Sequence, residues 1–184
     1  MLEIKEVSIE VFKKDLLNDY KTLFPKNEQR DWKSISRTYT NNIEKFYAIM
    51  NGLKTIGFIM LEKLENKPYY IDYFAIKKEY QNQGYGTKAI RILLNEIIKN
   101  DGVCMEIEKE NMDNSYTIKR ASFYKSLNFI EVNSTYNLYN VLYTPYYWNA
   151  VKKYTEQEIA EILFNYYEIN CGKKQIKKNC KILK

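Results

Sequence analysis

Apolar residues recur every three to four positions from Val11 to Leu23. There Phe12, Leu16, Leu17, Tyr20 and Leu23 form one stripe, which predicts an amphipathic helix. FPKN (24–27) interrupts it, and NEQRDWKSISRTY predicts a second helix from Asn27 or shortly after. KFYAIMNG (45–52) and LKTIGFIMLEKL (53–64) then read as strands joined at Asn51-Gly52, a dipeptide favoured in tight hairpins. YYIDYFAIKK (69–78) is apolar on both faces, as a central strand is.

The glycine-containing turn QNQGYG (81–86) leads into a helix, TKAIRILLNEIIKN, closed by Asn100-Asp101-Gly102. VCMEIEKE (103–110) is strand again, and TIKRASFYKSL (117–127) is helix. FIEV (129–132) and LYNVLYT (138–144) predict a strand pair. TEQE (155–158) is a capping-box pattern opening a last helix, striped by Ile159, Ile162, Leu163 and Tyr166. The order α-α-β-β-β-α-β-α-β-β-α predicts an α/β domain around a mixed sheet.

Composition narrows the chemistry. With 184 residues, 45% hydrophobic and 28% charged, the chain suits one globular domain with an appendage. No apolar run approaches the roughly 18–20 residues of a membrane span, and MLEIKEVSIEVFKKD lacks a signal-peptide core, so the expected location is cytoplasmic. The absence of histidine excludes Ser-His-Asp and Cys-His nucleophiles and histidine-ligated zinc. Cys104, Cys171 and Cys180 match no zinc-ribbon spacing, so no metal is expected. The net charge of +6 is local: residues 171–184 carry six lysines and no acid. That segment reads as a solvated, frayed end, although a basic tail also suits a polyanion.

The segment 69–87 carries the strongest chemical signal. A strand leads through Gln81-Asn82-Gln83-Gly84-Tyr85-Gly86-Thr87 into a helix, whose first N–H groups and dipole suit a phosphate. Two glycines let the main chain approach an anion, although an ordinary strand-to-helix turn has the same composition. The wider segment DYFAIKKEYQNQGYGTKAIRILLNEI resembles the acetyl-CoA-binding segment of the Gcn5-related N-acetyltransferase (GNAT) family. The family's Arg/Gln-x-x-Gly-x-Gly/Ala is supplied by Gln81, Gly84 and Gly86. Downstream, Arg120-Ala121-Ser122-Phe123-Tyr124-Lys125-Ser126-Leu127-Asn128-Phe129 resembles RAxxFYxxxGF. Asn128 stands where the family has glycine, at a position expected to need positive φ, which asparagine tolerates.

The resemblance implies a mixed, mostly antiparallel sheet with splayed central strands, flanked by helices, over residues 1–148. Residues 149–184 add a C-terminal helix and the basic tail. It implies acetyl-CoA as co-substrate and direct transfer of the acetyl group to a primary amine of a small molecule or peptide. Phe74, Ala75 and Ile76 would offer main-chain groups to the pantetheine arm, with an amide near Ile76 polarising the thioester carbonyl. Gln81, Asn82, Gln83, Gly84, Tyr85, Gly86 and Thr87 would hold the pyrophosphate. Asn114 would add a polar contact, with Asn111 competing for that role. Tyr124 stands where the family keeps its general acid.

For the base, Glu106 and Glu108 alternate onto one strand face, about 7 Å apart, and would raise each other's pKa. Glu108 matches a carboxylate seen in the family; Asp72 is the second candidate, and salt-bridging to lysines explains all three equally well. Glu28 could attract a cationic acceptor and Arg30 an anionic one, from the connection the family sets near its acceptor, or either is merely exposed. Tyr136, Tyr139, Tyr143, Tyr146, Tyr147 and Trp148 fall where relatives close the acceptor site, with Tyr143 taken as a substrate contact, although packing accounts for such residues more often. Two other readings stay open: an acyl-CoA-binding sensor without turnover, and a nucleic-acid-associated protein using the lysine tail. The neutral body weighs against nucleic acid. No membrane partner is expected, and the family's acceptor sites, often at a dimer edge, allow a homodimer.

Overall fold

The computed structural model describes residues 1–183; Lys184, the end of the predicted tail, lies outside the described residues. The chain forms two compact units, residues 1–65 with 71–99 and residues 66–70 with 100 onward.

The first unit opens with β1 (Leu2–Val7), followed by α1 (Ile9–Asp15), α2 (Leu17–Leu23) and α3 (Trp32–Thr40). β2 (Glu44–Asn51), β3 (Lys54–Glu62) and β4 (Tyr69–Ile76) complete its sheet, and α4 (Tyr85–Ile92) follows. β1 and β3 pair antiparallel with β2, and β4 lies beside β3. The pattern does not predict β1, because half of LEIKEV is charged and the run is short. The stripe from Val11 to Leu23 is two helices meeting at Leu16, which caps the first through its N–H to the Phe12 carbonyl. The stripe is nonetheless buried: Phe12, Leu16 and Tyr20 pack with Ile35 against Phe46, Phe58, Met60, Tyr73 and Ala75. Each such large side chain withdrawn from water stabilises by about 1.5–3 kcal/mol. α3 begins later than Asn27, at Trp32, because Asp31 caps the Ser34 N–H at 2.9 Å.

At Gly57 a Cβ would overlap the Ala75 carbonyl oxygen, so only glycine lets β3 and β4 approach there. Asp72 and Tyr73 both reach Arg30, although neighbours on a regular strand point to opposite faces. The two contacts reach different parts of Arg30, Tyr73 its main-chain N–H and Asp72 its guanidinium. Beyond α4 the helix widens into a π-helical turn, Leu93–Ile98, ending at Lys99 with φ +52°.

The second unit takes Tyr69 and Tyr70 of β4, which pair parallel with Val103 and Cys104 of β5 (Val103–Glu108). α5 (Ser115–Ser126), β6 (Ile130–Glu131), β7 (Thr135–Leu138) and β8 (Val141–Trp148) follow. Then come α6 (Glu156–Cys171), α7 (Lys173–Asn179) and β9 (Cys180–Leu183). β8 pairs antiparallel with β5, β6 and β7. The single strand predicted over 138–144 is a hairpin turn: Tyr139 and Asn140 have φ +51° and +69°, the pair of left-handed residues such turns require. Both units are built of mixed or antiparallel sheet flanked by helices, the expected fold class.

α6 forms the predicted capping box at Thr155 and Glu158, and its stripe is buried within its own unit. Tyr166 stacks on Tyr70 at 5.0 Å and donates to the Pro68 carbonyl. The expectation of a frayed lysine end is corrected. Residues 173–179 are helical around buried Ile176, and β9 pairs with β7 from Leu138↔Cys180 to Thr135↔Leu183. The apolar residues between the lysines give the segment a face to bury. Deletion from Gly172 is therefore expected to cost about 3 kcal/mol and lower Tm by ~5–10 °C, and deletion from Thr155 more. Calorimetry of the two truncations checks this; an unchanged Tm for the shorter deletion contradicts the docked tail.

Candidate active site

The first helix turns of α1, α3, α5 and α6 are each closed by a side chain: Ser8, Asp31, Asn114 and Thr155. α4 differs. It starts at Gly84, which has φ +78° and no side chain to cap the turn. Its first intrahelical bond runs from the Lys88 N–H to the Gly84 carbonyl, so the earlier N–H groups face outward from the helix end. Residues 81–84 are exposed, and Asn82 also takes positive φ, +60°. The loop is nonetheless fixed: Gln81 Nε2 donates to the Ile76 carbonyl at 2.7 Å, and Gln83 Nε2 to the Glu79 carbonyl at 2.9 Å. Tyr85 accepts from Asn51 Nδ2 at 3.0 Å, which ties the helix start to the end of β2. An ordered, uncapped helix end approached by two glycines is chemically an anion site.

Phe74, Ala75 and Ile76 form the end of β4 that leads into this loop. The Ile76 carbonyl is taken by Gln81, and the Lys77 N–H donates to the Ile56 carbonyl at 2.8 Å. Asn114 Oδ1 accepts from the Tyr116 N–H at 3.1 Å, so the cap of α5 already accounts for this residue. Asn111 Oδ1 likewise accepts from the Asp113 N–H.

In the second unit Tyr124 lies on α5, 4% exposed, with its ring edge-on to Phe123 and Phe129 at 4.9 and 5.3 Å. Burial pushes its phenol well above the ordinary value, opposed only by the Arg120 charge, so it is a fully protonated group. Asn128 does take φ +63°, and the turn it makes returns the Phe129 N–H to the Tyr124 carbonyl at 3.1 Å. Glu106 and Glu108 part company. Glu106 accepts from the Tyr70 hydroxyl at 2.8 Å, with Tyr167 also facing it. Glu108 sits half-exposed at the end of β5, with Arg120 Nη1 at 3.8 Å and Tyr143 opposite it on β8. Tyr136, Tyr146 and Tyr147 are buried, which makes them packing residues; Tyr139 and Tyr143 keep exposed surface.

The expectations of Arg30 as an acceptor contact and of Asp72 as a base are corrected, because the two are buried and paired with each other. Arg30 Nη1 lies 3.2 Å from Glu44 Oε1 and 2.8 Å from Glu62 Oε1, and it also pairs with Asp72. All four side chains are at most 7% exposed. Carboxylate oxygens of Glu44, Glu62 and Asp72 lie within 4.8 Å of one another, a spacing that would suit a cation, and the guanidinium supplies that cation. Burial raises Asp72 and pushes Glu44 up to about 7, opposed in both by Arg30. Sequence reasoning missed Glu44 and Glu62. Their signal was a carboxylate at the start of one strand and at the end of the next, which an antiparallel hairpin brings opposite each other, Glu44↔Glu62 in the register. Glu28 contributes its carbonyl, which accepts from the Tyr73 hydroxyl at 2.6 Å.

A family model of the acetyltransferase (GNAT) domain matches residues 42–131. A GNAT-family protein from Bacteroides thetaiotaomicron superposes with TM-score 0.77 at 20% identity, covering 92% of this chain and 98% of that one. The ribosomal-protein-S18-alanine N-acetyltransferase of Escherichia coli gives 0.61 at 16%, covering 84% and 97%. Arabidopsis thaliana NAA60, in complex with acetyl-CoA, gives 0.61 at 12%, covering 83% and 100%. A comparison with curated protein sequences gives no match. No helix among the described residues is long and apolar enough to cross a membrane.

The buried cluster has a consequence in solution. Glu44 is raised in the folded state, so its contribution to stability is full below the ordinary carboxylate value of 4.5 and is lost as pH rises through about 7. Asp72 acts in the same direction. Glu158, lowered to about 2 by Lys152 and the cap, acts oppositely, but only as pH falls below about 5. With no histidine in the chain, the window from about pH 5 to 8 isolates the cluster. Urea unfolding is expected to show stability falling across that window, and Glu44→Gln to flatten the slope. A stability that rises from pH 5 to 8 contradicts the assignment.

Proposed function

We propose, from the premise that the chain carries a GNAT acetyltransferase domain, that it transfers an acetyl group from acetyl-CoA to a primary amine of a small molecule or peptide. The observation that carries this reading is the uncapped start of α4 at Gly84, reached through the loop that Gln81 and Gln83 fix. The acetyltransferase domain takes residues 1–148, with 149–184 as its C-terminal helix and tail.

In this reading the N–H groups at 81–87 hold the pyrophosphate of acetyl-CoA, and the end of β4 at Phe74–Ile76 lines the pantetheine arm. The amine nitrogen attacks the thioester carbon; the N–C bond forms, the C–S bond breaks, and the electron pair leaves on sulfur. An N–H near Ile76 stabilises the oxygen that gains charge. The amine gives up one proton, to Glu108 or to water, and Tyr124 returns one to the thiolate. Burial makes Tyr124 a weak acid, but the loss of water that raises the phenol raises the thiol as well, which keeps the transfer feasible. Support for an amine acceptor comes from the E. coli neighbour, whose name specifies a protein alanine.

Gly86→Glu places a carboxylate at the helix start and is expected to abolish acetyl-CoA binding, read by calorimetry, without changing the fold. Wild-type affinity in that variant removes the proposed site. Tyr124→Phe keeps the ring packing, so acetyl-CoA affinity should change less than about tenfold while kcat falls by roughly 10²–10⁴. CoA release is measured with spermidine, an aminoglycoside and an N-terminal-alanine peptide as acceptors. Undiminished turnover in Tyr124→Phe shows that the thiolate needs no protein acid. Binding of acetyl-CoA without turnover on any amine assigns the chain to the sensor reading instead.

A further inference from the structure

We propose that α7, β9 and the exposed ring of Tyr139 form one face that binds single-stranded nucleic acid, with the lysines on its phosphates and the ring against an unpaired base. The inference concerns the second unit alone and does not rest on the function proposed above.

The charge is concentrated and ordered. Residues 171–184 hold six lysines and no acid, which equals the whole net charge of +6. Lys173, Lys174, Lys177 and Lys178 of α7 are exposed, and exposed Lys181 follows on β9. At 3.6 residues per turn the four helical lysines share an arc of about 140°. Ile176 falls outside that arc and is 3% exposed, so its burial turns the lysines outward. Lys173 lies 3.6 Å from Glu168 of α6. Lys174, Lys177, Lys178 and Lys181 form no ion pair among the described residues. Like charges one turn apart destabilise the free helix, and a row of phosphates relieves that repulsion.

Other polyanions offer the same charge, and Tyr139 is what favours nucleic acid. It stands in the turn between β7 and β8 with φ +51°, where a bulky side chain is out of place and glycine or asparagine costs less. Backbone strain of this kind at an exposed turn marks a side chain kept for contact. The Tyr139 N–H donates to the carbonyl of Asn179, the last residue of α7, at 2.9 Å. Its hydroxyl lies against Cys171 and Asn179, which fixes the ring beside the lysines, while 40% of the residue stays exposed. A fixed aromatic surface next to a row of cations is the arrangement that a strand of unpaired bases requires. A carboxylate-rich peptide would satisfy the lysines and leave the ring without a partner. An anionic membrane is served less well, because the apolar side of α7 is already turned inward at Ile176.

Fluorescence anisotropy of the full-length protein with a labelled single-stranded RNA of about 15 nucleotides tests the face. With four lysines on phosphates, log Kd should rise with log salt at a slope of about 3, a loss of roughly fiftyfold from about 50 to 200 mM. Changing Lys174, Lys177, Lys178 and Lys181 together to Gln should weaken binding at least about thirtyfold and bring the slope below about 1. Acetyl-CoA affinity, read by calorimetry, should stay within about twofold in that variant. Tyr139→Gly suits the positive φ and removes the ring, so Tm should stay within about 3 °C. It should weaken the single strand about tenfold at an unchanged salt slope, and leave binding of the same RNA annealed to its complement unaltered. A tyrosine that merely packs gives a lower Tm and unchanged binding. Equal single-strand affinity in Tyr139→Gly, or a wild-type slope below about 1, overturns the proposal. So does equally tight binding of polyglutamate or of phosphatidylcholine vesicles containing phosphatidylserine. Should the lysine variant precipitate, the wild-type salt series and Tyr139→Gly decide.

Discussion

A guanidinium removed from water has to be answered by carboxylates, and in the first unit Glu44, Glu62 and Asp72 come to Arg30 from three different strands. The arrangement costs more desolvation than an apolar core of the same volume would. What it adds is uniqueness. An apolar patch tolerates sliding, whereas a planar fork meeting several carboxyls and the Thr38 hydroxyl accepts one position of the connection only. The aromatic core of Phe12, Tyr20, Phe46 and Phe58 gives the unit its stability, and the ion cluster decides where the loop above that core rests.

A contrast between helix ends organises the chemistry. The chain closes the first turns of α1, α3, α5 and α6 with Ser8, Asp31, Asn114 and Thr155, and leaves those of the shorter α2 and α7 without a side-chain cap. At α4 it withholds the cap and spends two glycines on access instead. A missing hydrogen-bond partner is destabilising in the free protein by about 1 kcal/mol, and an anionic ligand restores it on binding. Tyr124 shows the same economy in the other unit, a polar group kept inside an aromatic setting of Phe123 and Phe129.

Much of this was legible in the residues. Periodicity located the α1–α2 stripe, the strands at β2, β3 and β5 and the capping box of α6, because each rests on local side-chain spacing. The motif around Gln81, Gly84 and Gly86 was legible because a turn's conformation is written in its glycines, and Asn128 was legible for the same reason. Nonlocal features were not. Glu44 and Glu62 lie 14 and 32 residues from Arg30 in the sequence, and their meeting there depends on strand register. The hairpin at Tyr139-Asn140 was read as continuous strand, since tyrosine is a strand former and seldom accepts positive φ. The lysine tail misled because charge dominates its composition, while Ile176 and Cys180 decide its structure.

β9 has a partner on one side only, β7, among the described residues. No strand pairs with its other side among the described residues, and Ile182 and Leu183 are 44% and 40% exposed. Such a strand is a template for a second chain. Here it is four residues long and carries Lys181, and it follows directly on the lysines of α7. Charge that looked like a partner-binding signal thus also serves as a gatekeeper against edge-to-edge aggregation. Neutralising those lysines would leave the fold intact and the protein less soluble.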